Sequence, residues 1–258
     1  MFFIILVRMS DKKTNGSGNG HDHDEDKSIV RFPSKDERKK REALRLRVTT
    51  PKKEPFFNFG LIPLFTRAVL LIFFIVQIGM MLAPEELRTQ IVYTFGFVPA
   101  YFTGVLKPFP YGAALSPITH IFIHGGWMHL AFNSVMAVSL GVFFEREFGT
   151  RRTIIFFFVC GIAGALVYFA LNPFSEIPVI GASGSVSGLF GALIMQMGKR
   201  GGLGHKTRGP WPLVGFWIIF MVLTGSLSGG GVAWQAHIGG FLAGIGLFHL
   251  MQKGKIRL

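Results

Sequence analysis

Cysteine occurs once in the 258 residues, at Cys160. An intramolecular disulfide, a cysteine-built zinc site and a CxxC redox motif are therefore excluded. Charge is sparse as well: Asp, Glu, Lys and Arg make up 16% of the chain, against about 25% in ordinary soluble domains. Acids are the scarcer sign, 14 against 27 Lys and Arg. No Asp or Glu lies deep in an apolar segment, Glu145 and Glu147 coming only at the end of one. Any nucleophilic chemistry in those segments has no carboxylate to lean on.

What the chain has in place of charge is apolar bulk. Half of it is hydrophobic, the mean hydropathy is +0.44, and it carries 28 Phe and 33 Gly. That composition points to a multi-pass membrane protein, with glycines in and beside the apolar runs so that helices can approach closely. The net charge of +13 does not indicate nucleic acid. Its basic residues gather in an N-terminal tail and in connecting loops, without interleaved aromatics, as membrane topology requires.

The apolar stretch 1–7 is too short to span and has neither a preceding basic region nor a small-residue cleavage site, so it does not read as a signal peptide. Residues 1–59 read as a polar, basic, disordered cytoplasmic tail. It includes the run His21-Asp22-His23-Asp24-Glu25-Asp26 and a basic block from Arg38 to Arg41. Residues 60–258 hold six apolar segments, at about 64–82, 119–144, 153–171, 179–197, 211–224 and 232–251. An all-α bundle of six transmembrane helices follows. Basic residues cluster after the second segment (Arg146, Arg151, Arg152), the fourth (Lys199, Arg200, Lys206, Arg208) and the sixth (Lys253, Lys255, Arg257). Both termini are thus expected in the cytoplasm, with Ser183 toward the outer side. The connection 83–117 contains five prolines and several aromatics, and reads as a folded loop resting in the membrane interface.

Ionisable side chains within hydrocarbon are costly, about 2.5–3.5 kcal/mol at a helix centre on insertion scales, and tend to mark function. Ser183 stands in Gly181-Ala182-Ser183-Gly184 at the entrance of the fourth segment, and His237 in Ala236-His237-Ile238-Gly239-Gly240 on the sixth. The first motif resembles the GxSxG nucleophile elbow but fails it at Ser185, and no alternation of strands and helices surrounds it. At 100° per residue Ser183, Gly184, Ser187, Gly188 and Gly191 fall within an arc of about 140°, a stripe of small residues for another backbone to approach. Gly240 and Gly244 share the helical face of His237. Ser183 and His237 are thereby expected within hydrogen-bond reach, as a hydroxyl and its base must be.

On the second segment His129 and Asn133 are four residues apart and share one face. They supply N–H donors suited to a developing oxyanion. The same pair would also serve as interhelical hydrogen-bond glue. His120, His124 and His129 invite a metal reading, but no HExxH acid or further ligand accompanies them, and neither a metal nor a cofactor is expected.

Together these residues resemble the rhomboid family of intramembrane serine proteases over about residues 60–258. Its GxSG motif matches Gly181 to Gly184, its AHxxG helix Ala236 to Gly240, and its HxxxHxxxxHxxxN pattern His120, His124, His129 and Asn133. The resemblance implies a Ser183 nucleophile and His237 as general base and acid. It assigns the oxyanion hole to the Ser183 backbone N–H, His129 and Asn133. It further implies single-pass transmembrane substrates cut in the lipid bilayer. Six helices without an extra one point to a bacterial inner membrane, and the short fifth helix with the Gly/Ser loop after it, whose glycines supply hinge freedom, is the expected lateral gate. The chain departs from the family at Ala113-Ala114-Leu115-Ser116, where a Trp-Arg pair is common, and at Ser187, where many bacterial members carry tyrosine. A non-catalytic scaffold binding membrane clients is the alternative. A transporter is disfavoured because no inverted pair of interrupted helices is present. Oligomeric state is not legible from the sequence.

Overall fold

Runs of Leu, Ile, Val and Phe without internal breaks wind into long helices, because in lipid only a helix satisfies every backbone polar group within one segment. The computed structural model describes residues 34–40, 42, 59–199, 209–227 and 233–253. The chain divides into two units, Met1–Glu54 and Pro55–Leu258. In the first, residues 35–40 are helical. A reciprocal cap starts them, Ser34 N–H donating to Glu37 Oε2 (2.8 Å) and Glu37 N–H to Ser34 Oγ (3.3 Å). The acidic His run, the stretch 1–7, Arg200, Lys206, Arg208, Lys255, Arg257 and residues 228–232 lie outside the described residues.

In the second unit the helices are α1 (Leu64–Leu82), α2 (Glu85–Phe95), α3 (Trp127–Phe148), α4 (Thr150–Leu171), α5 (Ser183–Lys199), α6 (Trp211–Leu227) and α7 (Trp234–Gln252). Among the described residues α1, α3 and α4 are long and apolar enough to cross a membrane, and α6 is apolar but shorter. The outward faces carry bare hydrocarbon: Leu71, Ile75, Ile78 and Met81 on α1, and Phe216, Ile219 and Leu223 on α6, are all exposed. A water-facing surface does not tolerate apolar patches of that extent, whereas lipid does. This is an integral membrane protein.

Two apolar segments start later as helices than their hydropathy suggests. Segment 119–144 is broken near its beginning by a 3-10 turn at His120–Phe122 and by Gly126, whose φ of +147° favours glycine, so α3 begins only at Trp127. His120 and His124 therefore lie off the helix that carries His129 and Asn133. Segment 179–197 opens on extended chain, where Val179 pairs with Phe97 in an isolated antiparallel bridge (3.0 and 2.9 Å), and α5 begins at Ser183. Midway, α3 loosens into a π-helical turn at Ala137–Gly141. There Gly141 lies against Thr66 of α1, and a Cβ would stand 3.0 Å from its hydroxyl oxygen.

The start of α1 is satisfied from elsewhere. Pro63 at its N-cap offers no side-chain bond. Instead Glu145 of α3 accepts from the Phe65 N–H (3.0 Å), the Thr66 N–H (2.9 Å), the Thr66 hydroxyl (2.8 Å) and the Thr150 hydroxyl (2.8 Å). A carboxylate at the positive end of a helix dipole is favourable in both charge and hydrogen bonding. This one acid joins α1, α3 and the first turn of α4. Inside, Phe73, Ile121, Leu130, Phe144, Phe156 and Leu189 fill the space between helices.

The connection between α1 and α3 is folded. It contains α2 and short helical turns at Pro99–Phe102, Tyr111–Leu115 and Ser116–Thr119. Thr119 Oγ1 donates to Phe95 O (2.7 Å), and Ala100 N–H donates to Ser175 O (3.0 Å). The first bond holds the connection to itself, and the second, with the Phe97–Val179 bridge, ties it to the segment that leads into Ser183.

Candidate active site

Helices in lipid gain little from burying apolar area against each other, so close approach depends on small residues. Here α5 and α7 meet glycine to backbone. A Cβ on Gly240 would collide with the Gly184 carbonyl, and one on Gly244 with the Gly188 carbonyl. A Cβ on Gly191 would stand 2.6 Å from Phe241 O. α4 joins at Gly164, where a Cβ would stand 2.5 Å from Ala236 O. The stripes read from the sequence thus do meet, and they bring the first turn of α5 against the first turn of α7.

That contact sets Ser183 Oγ 2.7 Å from His237 Nε2. In the tautomer that leaves Nε2 without a proton, the hydroxyl donates and the imidazole is placed as its base. Among the described residues no aromatic ring stacks on His237, and Ser187 is buried. The first-turn N–H groups of α5 have no partner within their own helix.

His129 and Asn133 face this turn from α3. Gly125 N–H donates to His129 Nδ1 (3.3 Å), which leaves the proton of a neutral ring on Nε2. Nε2 is directed at Gly181, where an added Cβ would stand 2.7 Å from it and 3.5 Å from Asn133 Nδ2. Asn133 Nδ2 gives one proton to His129 O (3.1 Å) and keeps the other. Gly181 has φ +108°, and its N–H donates to His120 O (2.8 Å). His120 Nδ1 is within 2.9 Å of Ser116 O. All four residues singled out from the sequence, Ser183, His237, His129 and Asn133, surround one turn of chain. His120 reaches it only through its carbonyl. Gly181 was read from the sequence as the first residue of the GxSG motif, but the gap it leaves for His129 and the Gly125 backbone donor escaped sequence reading, because neither leaves a side-chain signature. Among the described residues no group of three His, Cys, Asp or Glu is arranged to hold a metal ion.

Fold and site together define a class: an all-helical integral membrane protein in which a serine and a histidine from two different helices meet, with further N–H donors on a third. The family model for the Rhomboid domain matches residues 112–253, and the chain belongs to the rhomboid family. It is 31% identical over 130 residues to RHOMBOID-like protein 5 of Arabidopsis thaliana, covering 49% of this chain and 40% of that one. To Rhomboid protease GluP of Bacillus subtilis (strain 168) it is 32% identical over 127 residues, covering 49% and 24%. To Inactive RHOMBOID-like protein 8 of Arabidopsis thaliana it is 30% identical over 129 residues, covering 49% and 35%. The chain thus matches less than half the length of each of these relatives.

Proposed function

We propose that this chain is an intramembrane serine endopeptidase working through a Ser183–His237 dyad. The observation that carries the reading is the 2.7 Å contact between Ser183 Oγ and His237 Nε2 beside the His129 and Asn133 donors. Oγ attacks the scissile carbonyl while His237 takes its proton. The tetrahedral oxyanion is held by the Ser183 backbone N–H, His129 Nε2–H and the free Asn133 Nδ2–H. On collapse the C–N bond breaks and His237 protonates the departing amine. Water then attacks the acyl-enzyme, His237 accepts its proton, the ester bond to Oγ breaks, and the proton returns to Oγ. No cofactor enters the sequence of steps.

The six apolar segments, at 64–82, 119–144, 153–171, 179–197, 211–224 and 232–251, are six spans in this reading. The basic loops and tail are cytoplasmic and the Ser183 turn lies toward the outer side. Residues 1–59 are the tail, residues 60–258 the protease domain, and a bacterial inner membrane the host. Substrates are single-pass proteins whose helix unwinds near small residues, since a carbonyl locked in a helix is shielded from attack. Entry is beside α6, where Val214 and Gly225 are the buried residues of a 17-residue helix.

A serine-directed fluorophosphonate tests the dyad. The native protein takes the label and cleaves a model transmembrane substrate, and Ser183→Ala does neither. Cleavage retained in Ser183→Ala refutes the nucleophile. A native protein that binds clients but neither labels nor cleaves is a scaffold.

A further inference from the structure

None of the 11 residues of α2 is buried. Yet Glu85, Arg88, Thr89 and Val92, at the i, i+3, i+4, i+7 spacing of one helical face, all line a cleft between α2, the end of α1 and the start of α3. The cleft measures about 460 Å³. The face that α2 turns toward the rest of the protein is thus left largely uncovered by it.

Two features of the cleft say what covers that face. One is depth. Met80 and Met81, in the last turn of α1, line the cleft, and Trp127, the first residue of α3, lines it as well. The cleft therefore stands where a helix long and apolar enough to cross the membrane comes to its end. That is the level of lipid headgroups, at which tryptophan is enriched. The other feature is charge. Glu85 and Arg88 are exposed, and among the described residues neither side chain has an ion-pair or hydrogen-bond partner. Opposite charges at i and i+3, with Cβ atoms about 5–6 Å apart, can pair with each other, yet these two do not.

A guanidinium fork suits a phosphate, and a carboxylate suits a primary ammonium. In an ethanolamine headgroup two carbons join phosphate to ammonium, a linker short enough for the two groups to meet neighbouring side chains on one helix. Below the headgroup, acyl chains would pass Met81 onto the exposed hydrocarbon of Ile78. We propose that this cleft binds a phospholipid with an ethanolamine headgroup, its phosphate on Arg88 and its ammonium on Glu85. A choline headgroup has no N–H to give Glu85, and a glycerol headgroup has no cation, so both bind less tightly. The site does not depend on the protease reading.

The test is native mass spectrometry of the full chain in detergent. The micelles carry equal amounts of phosphatidylethanolamine, phosphatidylcholine and phosphatidylglycerol with the same acyl chains. One phosphatidylethanolamine is expected to stay on each native chain, held several-fold better than either competitor. Glu85→Gln and Arg88→Gln should each weaken that retention several-fold. Glu86→Gln, exposed on the same turn but outside the lining, should retain the lipid as the native protein does. Equal retention of all three lipids overturns the site, as does retention that neither variant weakens or that Glu86→Gln weakens as much. If phosphatidylglycerol is held as well as phosphatidylethanolamine and only Arg88→Gln matters, the cleft is a phosphate contact and the ethanolamine assignment fails. A dimer that both substitutions dissolve would put a second copy of the chain in the cleft, and also overturns the proposal. Melting in detergent gives a second readout, because a ligand bound to the folded state raises Tm. Added phosphatidylethanolamine should raise the native Tm and leave both variants unmoved, and a rise shared by the variants overturns the site. Without lipid the variants should melt as the native protein does, as exposed substitutions usually do. A lipid-free Tm that falls in both would place these charges in the fold and overturn the site.

Discussion

Gly181 presses its Cα against the imidazole of His129, so closely that an added methyl group would stand 2.7 Å from Nε2 and 2.8 Å from Cε1. Its φ of +108° is also one that residues with a side chain rarely adopt. Glycine is thus required here twice, once for the backbone and once for the gap that brings the chain entering α5 up to the donors on α3.

Gly181→Ala should cost about 1–3 kcal/mol of backbone strain and displace the Ser183 turn from His129. Cleavage is expected to fall by at least about 100-fold, since misplacement of about 1 Å has that effect. Fluorophosphonate labelling should fall with it while the protein stays folded. Full activity in Gly181→Ala would show that this approach is not part of the site.

Asn133→Ala removes one N–H donor and leaves Ser183 and His237 in contact. A loss of about 10²–10³ in kcat, or about 2.7–4 kcal/mol, is expected with KM little changed. Steady-state kinetics on a transmembrane substrate decide it. A change confined to KM would assign Asn133 to substrate binding or to packing.

Gly240→Ala puts a methyl group into the Gly184 carbonyl and must push α7 away from α5. Labelling of Ser183 and thermal stability should fall together. Gly246→Ala on the same helix meets nothing within 4 Å and is expected to label as the native protein does, with Tm unchanged or raised.

Glu145→Ala strips an acceptor from four donors at the far end of α3 from His129. A stability loss of about 3 kcal/mol is expected, since charged hydrogen bonds contribute about 1.5–3 kcal/mol each but are not additive. That corresponds to a fall in Tm of roughly 6–12 °C for a chain of this size. Labelling at low temperature should persist, which separates this residue from the dyad.

The meeting of Ser183 with His237, the shared face of His129 and Asn133 and the glycine stripes were legible because each rests on side-chain identities at helical spacing. Ser183 and Gly188, or His237 and Gly244, announce a face before any partner is known. Helix starts were less legible. Hydropathy ran unbroken through Ile121, Ile123 and Val179, yet Gly126 stops a helix from beginning earlier at α3, and Val179 is drawn into a bridge by Phe97. Both outcomes depend on backbone pairing with residues distant in sequence. Glu145 was visible as an acid at a helix end, but nothing local says that the N–H groups awaiting it belong to Phe65 and Thr66, some 80 residues earlier. Gly125 was likewise hidden, because its contribution to His129 is an amide that every residue except proline possesses.

The two hydrogen bonds between Phe97 and Val179 have a mechanical consequence. They splice the α1–α3 connection, with Tyr111 and Leu115 bare at its surface, onto the strand of chain four residues upstream of Ser183. Whatever tugs on that connection, including a change in bilayer thickness, must either unzip the splice or carry the serine with it.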